Sequence, residues 1–436
     1  MTWRPSSCTA TTWCLYADPV TATALEQLAG RVRAAARVVA QSSSSVRDDA
    51  LMMAADLLDE EWASLVDINQ SDLVRAESGG LAAPAQDRLR LNEARVRAMA
   101  AGLRGVAALA DPVGQVVEGW VRPNGLRVSR VRVPLGVVGV IYENRPNVTS
   151  DAAGLCLKAG NAAFLRGSSS ALATNRATVA LLRRAVAKAG LPEDAVALVE
   201  DTSHETALAF MRLRGYIDCL IPRGGPALID SLVEHATVPY VLDGDGNCHV
   251  YVDAAADLSM ALEVVVNAKI HRPGVCNAAE TILVHADVAG EFLPRLCGAL
   301  DAGGVEVRGD ERVRAVATGA VAAEERDFAT EFLGPTVAVA VVDDLDGAMA
   351  HIARFGTGHS EAIVTGDVTA ADRFVAEVDA AAVLVNASTR FIDGEQLGLG
   401  AEVGISTQKL HARGPMGVGE LTCLKWVVRG DGQVRA

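Results

Sequence analysis

The apolar positions of the chain follow two different periods, and the change between them marks its organisation. "ATALEQLAGRVRAAARVVA" repeats apolar residues at intervals of three and four, with Arg31, Arg33 and Arg37 between them, and predicts an amphipathic helix. "VRDDALMMAADLLDEEWASLVDIN" and "EARVRAMAAGLRGVAALA" predict two more. At "LRVSRVRVPLGVVGVIY" the period drops to two and then gives way to a continuous apolar run. That predicts a strand, a turn and a buried strand.

From there strands and helices alternate. "NAAFLRG", "IDCLIP" and "CHVYVD" predict strands, and "ALATNRATVALLRRAVAKAG", "ALIDSLVEHA" and "LSMALEVVVNAKI" the helices that follow them. A second alternation begins after Cys276, with strands at "AETILVH", "TVAVAVV", "EAIVTG" and "AAVLVNA" and helices at "EFLPRLCGALDAG", "LDGAMAHIARFG" and "AADRFVAEVDA". Repeated β-α alternation implies parallel sheets covered on both faces, so the fold class is α/β with two α/β domains. A Gly-rich stretch from residue 394 ends in the strand-like "CLKWVV", and "SSSS" at 42–45 reads as a helix start or a loop.

Composition narrows the function classes. The 436 residues suffice for two or three cores, and half of them are hydrophobic with only 4% aromatic, which suits compact helices on buried strands. A formal net charge of −14 without a Lys/Arg run argues against a nucleic-acid partner. No apolar run approaches the roughly 20 residues of a membrane span. Residues 1–20 lack an apolar region ending in a small-residue cleavage site and read as a tail, not a signal peptide. Eight cysteines without CxxC spacing read as reduced thiols in the cytoplasm.

Several familiar motifs are missing. There is no GxGxxG after a strand, no Walker A loop and no HExxH, so no metal is expected. "DGDGNC" fails as a calcium loop, because Cys248 stands where glycine belongs and Ala254 where the closing glutamate belongs.

Four segments carry candidate chemistry, each with a bland alternative. "IPRGGPALID" sets Arg223, Gly224 and Gly225 between a strand and a helix: an anion site at a helix N-terminus, or a plain turn. "GNAAFLRGSSS" delivers Arg166 to a Gly/Ser loop at a strand end, where ligands collect, or where an arginine is simply solvated. "YENRPNVTS" carries Glu143, Asn144, Arg145 and Asn147 directly after a strand; its amides could donate to an oxyanion, or the segment could be a turn. "HRPGVCNAAE" places Cys276 in a loop between a helix and a strand. His271 and Arg272 could favour its thiolate, or the residue could be a small buried hydrophobe like the other seven cysteines.

Taken together and in order, "VPLGVVGVIYENRPNVT", "IPRGGPALI", "GNCHVYVD", "VCNAAETILVH", "HSEAIVTGD", "AAVLVNAST" and "GAEVGISTQKLHARGPMGVGEL" resemble the gamma-glutamyl phosphate reductases, or glutamate-5-semialdehyde dehydrogenases. These form a branch of the aldehyde dehydrogenase superfamily. The resemblance runs from about residue 20 to the end; the first 20 or so residues carry none of these motifs. It implies an aldehyde-dehydrogenase-like fold with a cofactor domain from 21–122 and 138–252, a catalytic domain from 253–386, and a return to the cofactor domain over 387–412. Residues 123–137 and 413–436 would form a small β arm that makes a homo-oligomer, a dimer or tetramer.

The implied reaction is the NADPH-dependent reduction of L-glutamyl 5-phosphate to L-glutamate 5-semialdehyde with release of phosphate, the second step of proline biosynthesis. Cys276 would attack the acyl carbon and expel phosphate to give a thioester. Hydride from NADPH would then give a thiohemiacetal that collapses to the aldehyde. Asn147 and the backbone N–H of Cys276 match the oxyanion donors. For NADP(H), Arg166 with Gly167 and Ser168 falls near the adenosine ribose, Gly224 and Gly225 at the pyrophosphate turn, and Glu331 of "EFLGP" at the nicotinamide ribose. Ser406, Thr407, Lys409 and Arg413 are candidates for the amino acid end of the substrate, since an α-carboxylate wants Arg, Lys or hydroxyl donors.

One departure bears on mechanism. Hydrolytic aldehyde dehydrogenases carry a general-base glutamate roughly where Leu242 falls, with Asp243 and Asp245 close by. A hydrolytic NAD(P)-linked aldehyde dehydrogenase is therefore the first alternative, and the missing base argues against it. A cysteine hydrolase using His271, His359 or His411 is a second, and a nonenzymatic scaffold a third.

Overall fold

A computed structural model describes residues 23–435; the tail expected over 1–20 lies outside the described residues. Thr23 opens the first helix, Ala24–Val39, through a reciprocal cap with Glu26. Ser43 caps the helix Ser44–Glu60, so the serine run is a helix start. The single helix expected to follow is two. The backbone leaves helical geometry at Glu61 and resumes over Trp62–Ser78. The first piece lies against both Glu93–Ala108 and Leu172–Lys188, and the second mainly against Leu172–Lys188.

Two parallel sheets carry the molecule. The smaller has the strand order Val196–Leu198, Ala162–Arg166, Val137–Tyr142, Cys219–Arg223. Its central strand is apolar on both faces, as its unbroken sequence run requires. Val138 and Val140 pack with Leu51 and Leu103, while Val137 and Ile141 pack with Val32 and Phe210 on the other side. The larger sheet runs Val321–Ala322, Glu306–Gly309, Thr336–Val342, Ala279–His285, Cys248–Val252, Ser360–Val364, Ala382–Val385. All its pairs are parallel.

Two expected boundaries move. Cys248–Val252, assigned above to the cofactor domain, pairs with Ala279–His285 and Ser360–Val364 and belongs to the larger sheet. The arm is an antiparallel sheet of Val116–Val121, Arg127–Pro134 and Thr422–Arg429. Its first strand had been counted with the cofactor domain, and its second stops before Val137, which lies in the smaller sheet. A tight turn closed by Gly125 (φ 88°) folds Val116–Val121 back onto its neighbour. The arm exposes Val116, Val121, Trp426 and Val428, with Trp120 edge-on to Trp426.

The helix Asn147–Lys158 was not expected. Nearly all of it is buried, so it has no polar face and leaves no periodic signature. It begins where Val137–Tyr142 ends. The carboxyl ends of that strand and of Cys219–Arg223 thus face the loop that precedes Ala279–His285, the arrangement in which open α/β sheets collect ligands. Among the described residues no helix is long and apolar enough to cross a membrane, and no cluster of metal-ligating side chains occurs.

Candidate active site

Between the two sheets lies a cavity of about 420 Å³. Cys276 enters it from the loop joining the helix Leu258–Ile270 to the strand Ala279–His285. That loop is pinned from several sides. Asn277 donates to the carbonyl of Ile392 (2.8 Å). Cys248 is buried beneath it and its Sγ donates to the carbonyl of Cys276 (3.1 Å), so this second thiol is spent on backbone. Gly246 packs directly on the Cys276 peptide, where a Cβ would collide with the carbonyl group.

Asn147 lines the same cavity from the first turn of its helix. Its amide donates to Asp151 one turn on (2.8 Å), which fixes its orientation and leaves the second amide hydrogen for another acceptor. Burial pushes the Asp151 carboxyl up to about 6. Glu402 is pushed up to about 7 by the same cause, and one of its oxygens accepts from the N–H of Gly394.

Burial also dominates at Cys276, whose thiol is pushed up to about 12, with Asp243 adding to the effect and Arg223 opposing it. His271 and Arg272 were candidates to favour the thiolate, but the cations that act on Cys276 include Arg223, Arg145 and Arg390. The His271 ring instead faces the guanidinium of Arg390 (3.4 Å).

Five guanidinium groups line the cavity: Arg88, Arg145, Arg223, Arg272 and Arg390. Arg223 pairs with Asp243. The guanidinium groups of Arg88, Arg145 and Arg272 have no hydrogen bond or ion pair to a protein group among the described residues. Arg145 is drawn below its ordinary range by burial and by repulsion from Arg223 and Arg88. Uncompensated cations held together in a cleft are the electrostatics of an anion site.

Of the residues selected from sequence, Cys276, Asn147, Gly224 and Glu331 come together around this cavity. Glu331 accepts from the N–H of Gly246 (2.8 Å). Arg166, Gly167 and Ser168 lie at the end of the neighbouring strand. Arg166 donates to the carbonyls of Thr202 and Ser203 (both 3.0 Å), and its buried Nε has no partner. Gly167 lies tight against Asn175, and Ser168 bonds Ser170 (2.7 Å). Gly225 caps the helix Pro226–His235 and donates to the carboxylate of Glu143 (3.2 Å).

The four residues chosen for the amino acid end do not line the cavity. Ser406 is fully buried and accepts from the N–H of Gln408. Thr407 packs against Gly244, and Lys409 and Arg413 both pair with Asp379. Arg88, Arg390 and Glu402 take places that sequence reasoning missed. Arg88 lies far from any motif and gave no signal. Glu402, a lone carboxylate in a Gly-rich apolar run, was visible and passed over.

The rivals fare differently. The side chain of Leu242 packs into the core of the smaller sheet, away from the cavity. Asp243 is committed to Arg223 and to the N–H of Ile405 (2.8 Å). None of His271, His359 and His411 lines the cavity. His359 is buried, bonded to Ser360 (2.8 Å), and drawn down to about 4 by burial.

Residues 5–327 match the aldehyde dehydrogenase family, a class of oxidoreductases that work with a nicotinamide cofactor. A gamma-glutamyl phosphate reductase of Moorella thermoacetica is 56% identical over 405 residues, covering 93% of this chain and 97% of the relative. One from Caldanaerobacter subterraneus is 50% identical over 411 residues, covering 94% and 99%. The crystal structure of the gamma-glutamyl phosphate reductase of Thermotoga maritima superposes with a TM-score of 0.92 at 46% identity, covering 94% of this chain and all of that one. The chain belongs to the gamma-glutamyl phosphate reductase branch of the aldehyde dehydrogenase family, and it has that family's fold.

The residues present fit a dinucleotide. The carboxylate of Glu143 accepts from the N–H of Gly225 at the N-terminus of the helix Pro226–His235, a position that suits an anion. A Cβ on Gly224 would meet that carboxylate, so glycine keeps the approach open. The orphaned Nε of Arg166 leaves a donor for a further anion.

Proposed function

We propose that this protein reduces L-glutamyl 5-phosphate to L-glutamate 5-semialdehyde with NADPH, releasing phosphate, in the reductive step of proline biosynthesis. The observation that carries the proposal is the set of guanidiniums around Cys276, three of them without a protein partner. The substrate brings two anionic groups, a phosphate and an α-carboxylate. Arginine forks suit both.

Cys276 is the nucleophile. Its thiol must first lose a proton, and Glu402, with a pKa near neutrality, lines the same cavity and is suited to take it. The thiolate attacks the acyl carbon, the C–S bond forms, and the bond to the phosphate oxygen breaks. The phosphate leaves among the arginines. Asn147, aimed by Asp151, and the backbone N–H of Cys276 stabilise the tetrahedral oxyanion. The nicotinamide, when bound, would supply hydride to the acyl carbon; the C–S bond then breaks, which releases the aldehyde and returns the Cys276 thiolate. Glu331 would hold the nicotinamide ribose, Gly224 and Gly225 the pyrophosphate, and Arg166 with Ser168 the 2′-phosphate that distinguishes NADPH from NADH. Leu242, which falls at the place of the hydrolytic base, packs into the core, so that base is missing from the cavity.

The exposed valines and tryptophan of the arm support a homo-oligomer, a dimer or tetramer. The free thiols of the six described cysteines support a cytoplasmic enzyme. Cys276→Ala tests the central role. It is expected to abolish reduction while NADPH still binds, as read by nucleotide fluorescence. Turnover near that of the unaltered enzyme would refute it.

A further inference from the structure

The loop that carries Cys276 is closed at its base by a buried ion pair. Lys269 lies in the last turn of the helix before the loop, and Glu280 is the second residue of the strand after it. Their side chains meet at 2.5 Å, and both are fully buried. Glu280 uses its other oxygen to accept from the N–H of Leu333 (3.1 Å). Leu333 has left-handed backbone (φ 50°), which a bulky residue keeps only when its surroundings impose it. Two residues earlier in the same segment, Glu331 accepts from the N–H of Gly246, and Gly246 packs on the Cys276 peptide.

The contacts form a ring from the loop base through Glu280, Leu333, Glu331 and Gly246 back to Cys276. A buried ion pair is weak evidence for stability, since a well-packed apolar pair would often do as well. An apolar residue at 280 would leave the N–H of Leu333 without its acceptor. We propose that Lys269 and Glu280 are positioning residues that fix the Cys276 loop and the Glu331 segment relative to each other, so that nucleophile geometry and cofactor affinity depend on the same pair. The inference rests on Cys276 being the nucleophile and on Glu331 meeting the cofactor.

Lys269→Met, Glu280→Gln and the double variant test it in the full chain. The single variants can fold, because the remaining group can go neutral: burial has already lowered Lys269 and raised Glu280 to about 7. Two readouts need no turnover. One is the rate of Cys276 alkylation by iodoacetamide, located by mass spectrometry; the other is the NADPH dissociation constant by fluorescence. Each is expected to shift at least about fivefold in a folded variant, with kcat falling on the order of 10- to 100-fold. A folded double variant with both values within about twofold of the unaltered enzyme overturns the proposal. A shift in only one of them does too, because the ring couples them, and so does failure of all three variants to fold. An unaltered enzyme that binds NADPH and is alkylated at Cys276 but does not reduce the acyl phosphate refutes the proposed substrate and leaves the positioning test intact.

Discussion

Gly246→Ala adds one methyl group at the tightest point of the site. The new Cβ would lie 2.7 Å from the Cα of Cys276 and closer still to its carbonyl group, whereas ordinary contact begins near 3.4 Å. Cys276 therefore has to retreat by about 0.7 Å at its Cα and further at its carbonyl, which also strains the bond from Cys248. A displacement of that size costs on the order of 100-fold in kcat, about 2.7 kcal/mol of barrier. Overpacking alone costs about 1–3 kcal/mol of stability, a fall of a few degrees in Tm for a chain this long. The assay is steady-state turnover with semialdehyde and NADP⁺ in the presence of phosphate, beside a melting curve. Gly290→Ala is the control. Its Cβ would meet nothing within 4 Å, it lies inside the helix Ala286–Ala302, and it is expected to keep kcat and raise stability slightly. Gly246→Ala with unaltered kcat would mean that the contact does not set the nucleophile's position.

Arg166→Ala is expected to narrow the preference for NADPH over NADH, measured as the ratio of kcat/KM values. The effect is partial because Ser168 and Ser170 lie beside it, and an unchanged ratio would remove Arg166 from the cofactor site. Glu402→Gln is expected to lower kcat by at least about 100-fold, as loss of a general base does. It also has a pH signature. The folded state raises the Glu402 carboxyl from 4.5 to about 7 and so favours its protonated form. That contribution is full below about pH 4.5 and is lost as pH rises through 7, at most about 3 kcal/mol. The glutamine variant should therefore melt above the unaltered enzyme at pH 8 and level with it at pH 4. Equal melting at both would show that the carboxyl is not perturbed.

Much of the fold was legible because its strands are buried on both faces. The predicted "AETILVH" and "TVAVAVV" coincide with Ala279–His285 and Thr336–Val342. What failed has physical causes. The buried helix Asn147–Lys158 has no amphipathic stripe, and the strand at Cys248 looks identical whichever sheet receives it, since pairing is a tertiary choice. Within the site, Cys276, Asn147, Gly224 and Glu331 were found through motifs. Arg88 and Arg390 come from distant elements and converge only in three dimensions. Lys409 and Arg413 had the right chemistry, but both lie against Asp379 on the surface.

The central claim is an acyl-enzyme on Cys276 that exchanges with phosphate and is shielded from water. It is tested most directly by running the reaction backwards, from glutamate semialdehyde and NADP⁺, while inorganic phosphate is varied. Oxidation leaves a thioester on Cys276 that an acceptor must remove before the next turnover. With Leu242 in the core, the base that hydrolytic relatives use is missing, and water is expected to be a poor acceptor. The rate should therefore rise with phosphate, or with arsenate, until the arginine site fills. Fast turnover without phosphate, yielding free glutamate, would contradict the account and mark the protein as a hydrolytic aldehyde dehydrogenase.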